Sequence, residues 1–385
     1  MSVAVVEIVR PSGVSANGIL VGVALMSVTL PTPVGYVPPL QRKRMRGSST
    51  EETVRIALLG AGRIGALHAR LLSATAGVDS LVVADVEAER AARVAGAIGA
   101  TAAPSIEAAL DAADAVVIAA ATAAHPALIR TSIGRGLPTF CEKPLATGLE
   151  ETAALADDID RSRIPFQLGF QRRFDPAYRE AHRLIHTGAL GTLYAIRLAG
   201  HDPAPAHEAY IAQSGGLFRD FAIHDFDALR WLTGCEVDEV YADGAVRGFP
   251  VYAAYDDVDT AVAVLRLVDG PLTVLTATRH DPLGYDIRAE IFGSTDSVSV
   301  GLGPRTPLRS IEPGVPPPAG PAWPDFLVRF ESAYAAELAA FVEVARGNAP
   351  SPCTAQDGVA ALRIAEAADR SRREHRPVRL AAIAS

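Results

Sequence analysis

The sequence predicts an α/β domain on a parallel sheet, followed by an α+β domain with an open, mostly antiparallel sheet. Two rhythms and the length predict it. Between about residues 54 and 170, short continuous apolar runs alternate with helical segments, as in βαβ units buried on both faces. Beyond Gln171, longer strand-like runs follow one another without helices between them. A chain of 385 residues also suits two domains.

Each element has its own signal. VRIALLG (54–60) is a β-rich run ending in glycine, and IGALHARLLSA (64–74) has helical spacing. DSLVVAD (79–85), ADAVVIAA (113–120), PTFCEKP (138–144) and PFQLGF (165–170) read as further buried strands. Segments 87–99, 126–136 and 148–162 read as the helices between them. Residues 51–170 are therefore assigned to the first domain and 171–385 to the second. In the latter, 175–186 and 220–234 read as helices, and 192–200, 237–244, 259–267, 272–280 and 285–293 as strands. A Pro/Gly-rich connection (301–324) leads to two closing helices, 331–347 and 354–374.

Residues 1–50 do not share this pattern. Gly18–Leu30 is an apolar run of 13 residues, short of the ~20 that span a bilayer. The basic cluster Arg42-Lys43-Arg44 follows the run, whereas a secretory signal would place it before. This stretch reads as a disordered extension or as sequence upstream of a start at Met45. A net charge of −8 argues against nucleic acid, and no segment argues for a membrane. The three widely spaced cysteines give neither a disulfide framework nor a zinc set, so no metal and a reduced, cytoplasmic setting are expected.

Gly60-Ala61-Gly62-Arg63-Ile64-Gly65 fits G-x-G-x-x-G, and it follows a strand and opens a helix, as a Rossmann dinucleotide-binding fingerprint must. Asp85 ends the second strand, where a carboxylate accepts from ribose hydroxyls and repels a 2′-phosphate; this favours NAD over NADP. Thr122 and His125 follow the strand at 113–120, on the edge where ligands bind. His68 reads as a packed helix histidine. Among 36 Lys+Arg only two are lysines, Lys43 and Lys143, so Lys143 is the one lysine of the folded body. At a strand's carboxyl end, its compact ammonium could hold a hydroxyl oxygen and favour alkoxide character as hydride leaves carbon. Asp220 and His224 stand at i, i+4 on one predicted helix: an imidazole to take a hydroxyl proton and a carboxylate to orient it. Asp225 and Asp227 read as caps or surface carboxylates.

Taken together, GAGRIG (60–65), CEKPLA (141–146), GFQRRFDPAY (169–178) and GGLFRDFAIHDFD (215–227) resemble the glucose–fructose oxidoreductase/inositol dehydrogenase/rhizopine-catabolism family, Gfo/Idh/MocA. The resemblance covers about 54–380. It implies Lys143 as the catalytic lysine touching cofactor and substrate, Glu142 setting its strand end, and Asp220 with His224 as the catalytic pair. HDPAPAHEAYIAQSGGLFRD (201–220) is most similar to the inositol 2-dehydrogenase branch, which oxidises myo-inositol to the 2-keto product with NAD. By the same resemblance Asp202 and Tyr285 lie near substrate, and the open sheet joins copies into a dimer or tetramer. His201 stands where that branch often has arginine, which leaves the polyol open. Another sugar or polyol oxidoreductase, an NAD-using hydrolase and a non-catalytic NAD-binding regulator remain alternatives.

Overall fold

The structure, a computed structural model, describes residues 53–383; the stretch 1–50, read above as an extension, lies outside them. The first half runs β1 (Val54–Leu59), α1 (Arg63–Ser73), β2 (Val78–Ala84), α2 (Ala88–Ile98), β3 (Thr101–Ala102), α3 (Ile106–Asp111), β4 (Ala115–Ile118), α4 (His125–Gly134), β5 (Thr139–Glu142), α5 (Leu149–Ser162) and β6 (Phe166–Gly169). Its six strands form one parallel sheet in the order β3-β2-β1-β4-β5-β6. β4 is buried at all four positions because helices cover both faces. The sequence reading missed β3 and α3: β3 is an exposed two-residue edge with no apolar pattern to betray it.

The second half runs α6 (Pro176–His186), β7 (Leu193–His201), α7 (Glu208–Ser214), α8 (Ile223–Thr233), β8 (Val237–Ala245), β9 (Thr260–Leu267), β10 (Leu272–Thr278), β11 (Asp286–Gly293), β12 (Ser297–Val300), α9 (Phe326–Arg329), α10 (Glu331–Arg346), α11 (Ala355–Glu374) and β13 (Val378–Arg379). Its sheet has the order β12-β11-β7-β10-β9-β8-β13. Every pair is antiparallel except β7 with β10. Strict alternation along β9 and β10 buries Ala263, Leu265, Leu275 and Ala277 on one face and exposes Val262, Val264, Leu272 and Val274 on the other. Each buried leucine there contributes about 1.5–3 kcal/mol.

The closing helices tie the two sheets together. α10 packs on α1, and α11 packs on α5, α8 and β8. A capping box between Thr354 and Asp357 fixes the start of α11. Among the described residues, no helix is long and apolar enough to cross a membrane.

Candidate active site

The parallel sheet reverses its winding between β1 and β4, and the glycine loop lies at that point, beyond the carboxyl end of β1. Gly60 has φ +101°, and a Cβ on it would lie 2.6 Å from the backbone of Ala119. A Cβ on Gly65 would lie 2.0 Å from the carbonyl oxygen of Gly60. Gly62 differs: a Cβ there meets nothing within 4 Å, so its space is open towards a ligand. Gly62 caps α1, and among the described residues no side chain caps that end and no acidic residue stands in its first turn. The amides at the start of α1 are thus available to a pyrophosphate, and the loop fits NAD. Ile64, half-buried, packs on the core, while the exposed Arg63 places its guanidinium 4.8 Å from the centre of the Phe326 ring.

Asp85 closes this half of the site. Its carboxylate accepts from the amide of Ala61 at 2.7 Å and from that of Glu87 at 2.9 Å, stapling the glycine loop to the end of β2. A carboxylate has about four lone-pair sites, so it can still accept from ribose hydroxyls. Arg90 lies 3.5 Å away and shares its charge.

At the carboxyl end of β5, Lys143 Nζ donates to the carbonyl oxygen of Asp220 at 2.7 Å and stands 3.4 Å from its Oδ1. Asp220 Oδ1 also accepts from the hydroxyl of Tyr210 at 2.7 Å, and Oδ2 accepts from Arg279 Nη1 at 3.0 Å. Burial pushes the Asp220 carboxyl up, but the charges of Lys143 and Arg279 outweigh it and hold it below the usual carboxylate range. Asp202 lies 3.4 Å from Arg279; burial, only partly offset by that cation, pushes it up to about 6. His224 is driven well below the ordinary histidine value, first by burial and then by Lys143 and Arg172, so its imidazole is neutral at pH 7. Its Nδ1 is buried and, among the described residues, without a partner. A buried unpartnered ring nitrogen costs about 1–3 kcal/mol unless a ligand satisfies it.

The expected Asp220–His224 hydrogen bond is not formed. The chain winds as a wider π-turn over Phe218–Ala222 before α8 begins, and both Asp220 oxygens are taken by Tyr210, Arg279 and Lys143. Lys143 still links the two residues, because its charge acts on both.

The other expected positions fall into a supporting layer. His125 is buried, with Nδ1 2.8 Å from the carbonyl of Pro144 and Nε2 3.1 Å from that of Ala120. Burial keeps this imidazole neutral, with one N–H, so it donates to one of the two carbonyls, and the ring packs the loop after Lys143 against the end of β4. Thr122 starts the short turn between β4 and α4, half-buried beside it. Glu142 Oε1 lies 2.7 Å from Nε2 of the buried His68, a ring flanked edge-on by Phe140 and Tyr334. Tyr285 is buried against Phe330, with its backbone amide donating to Trp323. Asp225 and Asp227 correct the reading of caps or surface carboxylates. Both are fully buried, paired with Arg172 and Arg173 of the turn that follows β6. Sequence reasoning missed Arg279 and Tyr210 altogether. His201, Asp281 and Asp286 could together offer three metal ligands, but Arg288 Nε already donates to both oxygens of Asp286 at 2.9 and 3.0 Å.

Residues 54–170 match the model of an oxidoreductase family with an NAD-binding Rossmann fold, and residues 178–299 match that of the GFO/IDH/MocA C-terminal domain. The chain is 41% identical over 320 residues to myo-inositol dehydrogenase Hyg17 of Streptomyces leeuwenhoekii, covering 82% of this chain and 96% of that one. The crystal structure of a myo-inositol dehydrogenase from Corynebacterium glutamicum ATCC 13032 superposes with a TM-score of 0.78 at 37% identity, covering 85% and 99% of the two chains. That of scyllo-inositol dehydrogenase from Lactobacillus casei, with bound NAD(H) and scyllo-inositol, gives 0.77 at 28% identity, covering 86% and 100%.

Proposed function

The chain belongs to the Gfo/Idh/MocA family of oxidoreductases, and on that premise we propose that it oxidises a cyclic polyol with NAD, myo-inositol to 2-keto-myo-inositol. Bound NAD supplies the hydride acceptor. Lys143 holds the reacting hydroxyl oxygen and stabilises its developing negative charge. His224, neutral at pH 7, takes the hydroxyl proton. Asp220, charged and held by Arg279, anchors Lys143 rather than orienting the imidazole. The Gly60–Gly65 loop and Asp85 bind the dinucleotide. One observation carries the reading: a lysine whose ammonium is fixed on Asp220 and whose charge acts on a neutral buried histidine, on the same carboxyl edge of the parallel sheet as the uncapped glycine-loop helix.

The test is NADH formation by the purified protein with NAD or NADP over myo-, scyllo- and chiro-inositol, glucose and xylose. NAD-linked oxidation of myo-inositol is expected. Activity confined to another polyol would move the substrate and keep the roles. Tight NAD binding with no reduction anywhere would favour the regulator or the hydrolase.

Two further assignments go with this reading. The exposed apolar face of β9 and β10, continued by Tyr241 on β8, is covered by a second copy, giving a dimer or tetramer. Cys141, Cys235 and Cys353 are all unpaired, which suits work in the cytoplasm.

A further inference from the structure

Tyr210 occupies a place that packing does not explain. It lies on α7, a short helix held down by buried Ile211 and by two bonds to the turn after β8: Tyr255 Oη to Glu208 at 3.2 Å, and the amide of Ala206 to Tyr252 Oη at 3.2 Å. The residue is 51% exposed, so little of its ring is core. Yet its hydroxyl reaches inward to the Asp220 carboxylate at 2.7 Å, and Arg63 of the glycine loop acts on it electrostatically. Asp220 Oδ1 in turn stands 3.4 Å from Lys143 Nζ, so the Tyr210 hydroxyl lies no more than about 6 Å from the ammonium.

Resting on the polyol-oxidation reading above, we propose that Tyr210 is a substrate-contacting, specificity-determining residue: its hydroxyl accepts a hydrogen bond from the hydroxyl next to the reacting carbon while donating to Asp220. A phenol that donates to a carboxylate keeps its own lone pairs free to accept. A ring polyol held with one hydroxyl oxygen on Lys143 directs the neighbouring hydroxyl along the Lys143–Asp220–Tyr210 edge, within hydrogen-bonding reach of the phenol. Arg279 fixes the far oxygen of Asp220, so Oδ1 is the one that faces this edge. The class of substrate selected is thus a vicinal diol. A site built to bond a hydroxyl rejects an analogue lacking it far more strongly than an apolar pocket could.

The experiment compares wild type with Tyr210→Phe on myo-inositol and on its deoxy analogue lacking one hydroxyl beside the reacting carbon. Tyr210→Phe removes one oxygen from a half-exposed ring, and an unchanged melting temperature and NAD affinity confirm that the fold is kept. The expected result for myo-inositol is a fall in kcat/KM of roughly tenfold to a hundredfold, mostly in KM. For the deoxy analogue the two proteins should be nearly equal, so the preference for the full diol collapses in the variant. An equal preference in both proteins overturns the proposal, as does a Tyr210→Phe enzyme indistinguishable from wild type. If wild type reduces NAD with no polyol at all, it is the oxidation reading that has failed, and the proposal falls with it.

Discussion

Replacing Arg279 by methionine tests the electrostatics of the crevice directly. Arg279 is 3% exposed and is the cation shared by Asp220 Oδ2, at 3.0 Å, and Asp202 Oδ2, at 3.4 Å. Removing one partner from a buried ion pair costs about 3–5 kcal/mol, because the other charge is left uncompensated. Asp220 keeps Lys143 and Tyr210, so Asp202, already pushed up to about 6, bears the larger change and becomes neutral in the folded state at pH 7. A carboxyl that must be neutral when folded but ionises at about 3.9 when unfolded costs ~1.4 kcal/mol for each pH unit above that value. Its folded pKa is raised, so stability is greatest at low pH and is lost as pH rises through that folded value. Wild-type Asp202 already stands at about 6, so the pH-dependent part of the Arg279→Met deficit is only ~1.4 kcal/mol at pH 7 and is gone by pH 5, within a total loss of about 3–5 kcal/mol at pH 7. Urea unfolding of both proteins at pH 7 and pH 5, at one protein concentration, measures it; Arg279→Lys should recover part of the loss. A variant as stable as wild type at pH 7, or a deficit that does not change with pH, would refute the reasoning.

Lys143→Met should lower kcat by about a hundredfold or more with NAD affinity little changed, measured by steady-state turnover and equilibrium binding. Gly62→Val should weaken NAD binding while leaving the melting temperature near wild type, because its Cβ points into open space. Gly65→Ala should instead destabilise the fold, because its Cβ would lie 2.0 Å from the oxygen of Gly60. With His224 as the base and its pKa depressed, kcat/KM should stay flat as pH falls to 6.5 and drop only well below it; a limb centred at or above 6.5 would remove His224 from that role.

What could be read from the sequence was local. β1, β2 and β4–β6 are continuous apolar runs between turn signals, and a strand buried on both faces has no other way to look. The glycine loop was legible because Gly60 and Gly65 have no room for a Cβ and Gly62 leaves space for a ligand, in the spacing the fingerprint requires. Lys143 was legible through composition, a lone lysine in an arginine-rich body. The ion pairs were not. Arg172 meets Asp225 across 53 residues and Arg173 meets Asp227 across 54, so nothing near Asp225 or Asp227 betrays a partner. An aspartate one turn from a charged helix end looks solvated until the fold brings a guanidinium over it. Arg279 was hidden for the same reason, one arginine among many at the end of a strand. The i, i+4 spacing of Asp220 and His224 misled because it presumes an α-turn, while Asp220 sits in a π-turn and faces Tyr210 and Arg279. β13, two residues long, is too short to carry a period at all.

The choice of lysine at 143 has an internal control in this fold. Arg173 approaches Asp227 as a fork, Nε to Oδ2 at 2.9 Å and Nη2 to Oδ1 at 2.5 Å. Its remaining amine is spent on the carbonyl of Pro352 at 3.0 Å. A guanidinium beside a carboxylate closes on it in this way, because its planar donors match the two oxygens. At position 143 the same closure would engage both oxygens of Asp220, compete with Tyr210 for Oδ1 and hold the remaining N–H groups in the plane of the fork. The ammonium behaves differently. Its short bond goes to the main-chain oxygen of Asp220, its contact with Oδ1 is long at 3.4 Å, and a third donor remains free to rotate. That third donor is the one a hydroxyl oxygen can use as it becomes an alkoxide. Lys143→Arg should therefore be nearly as inactive as Lys143→Met although the positive charge is retained, and an arginine enzyme with wild-type turnover would show that charge alone, not donor geometry, is what the position requires.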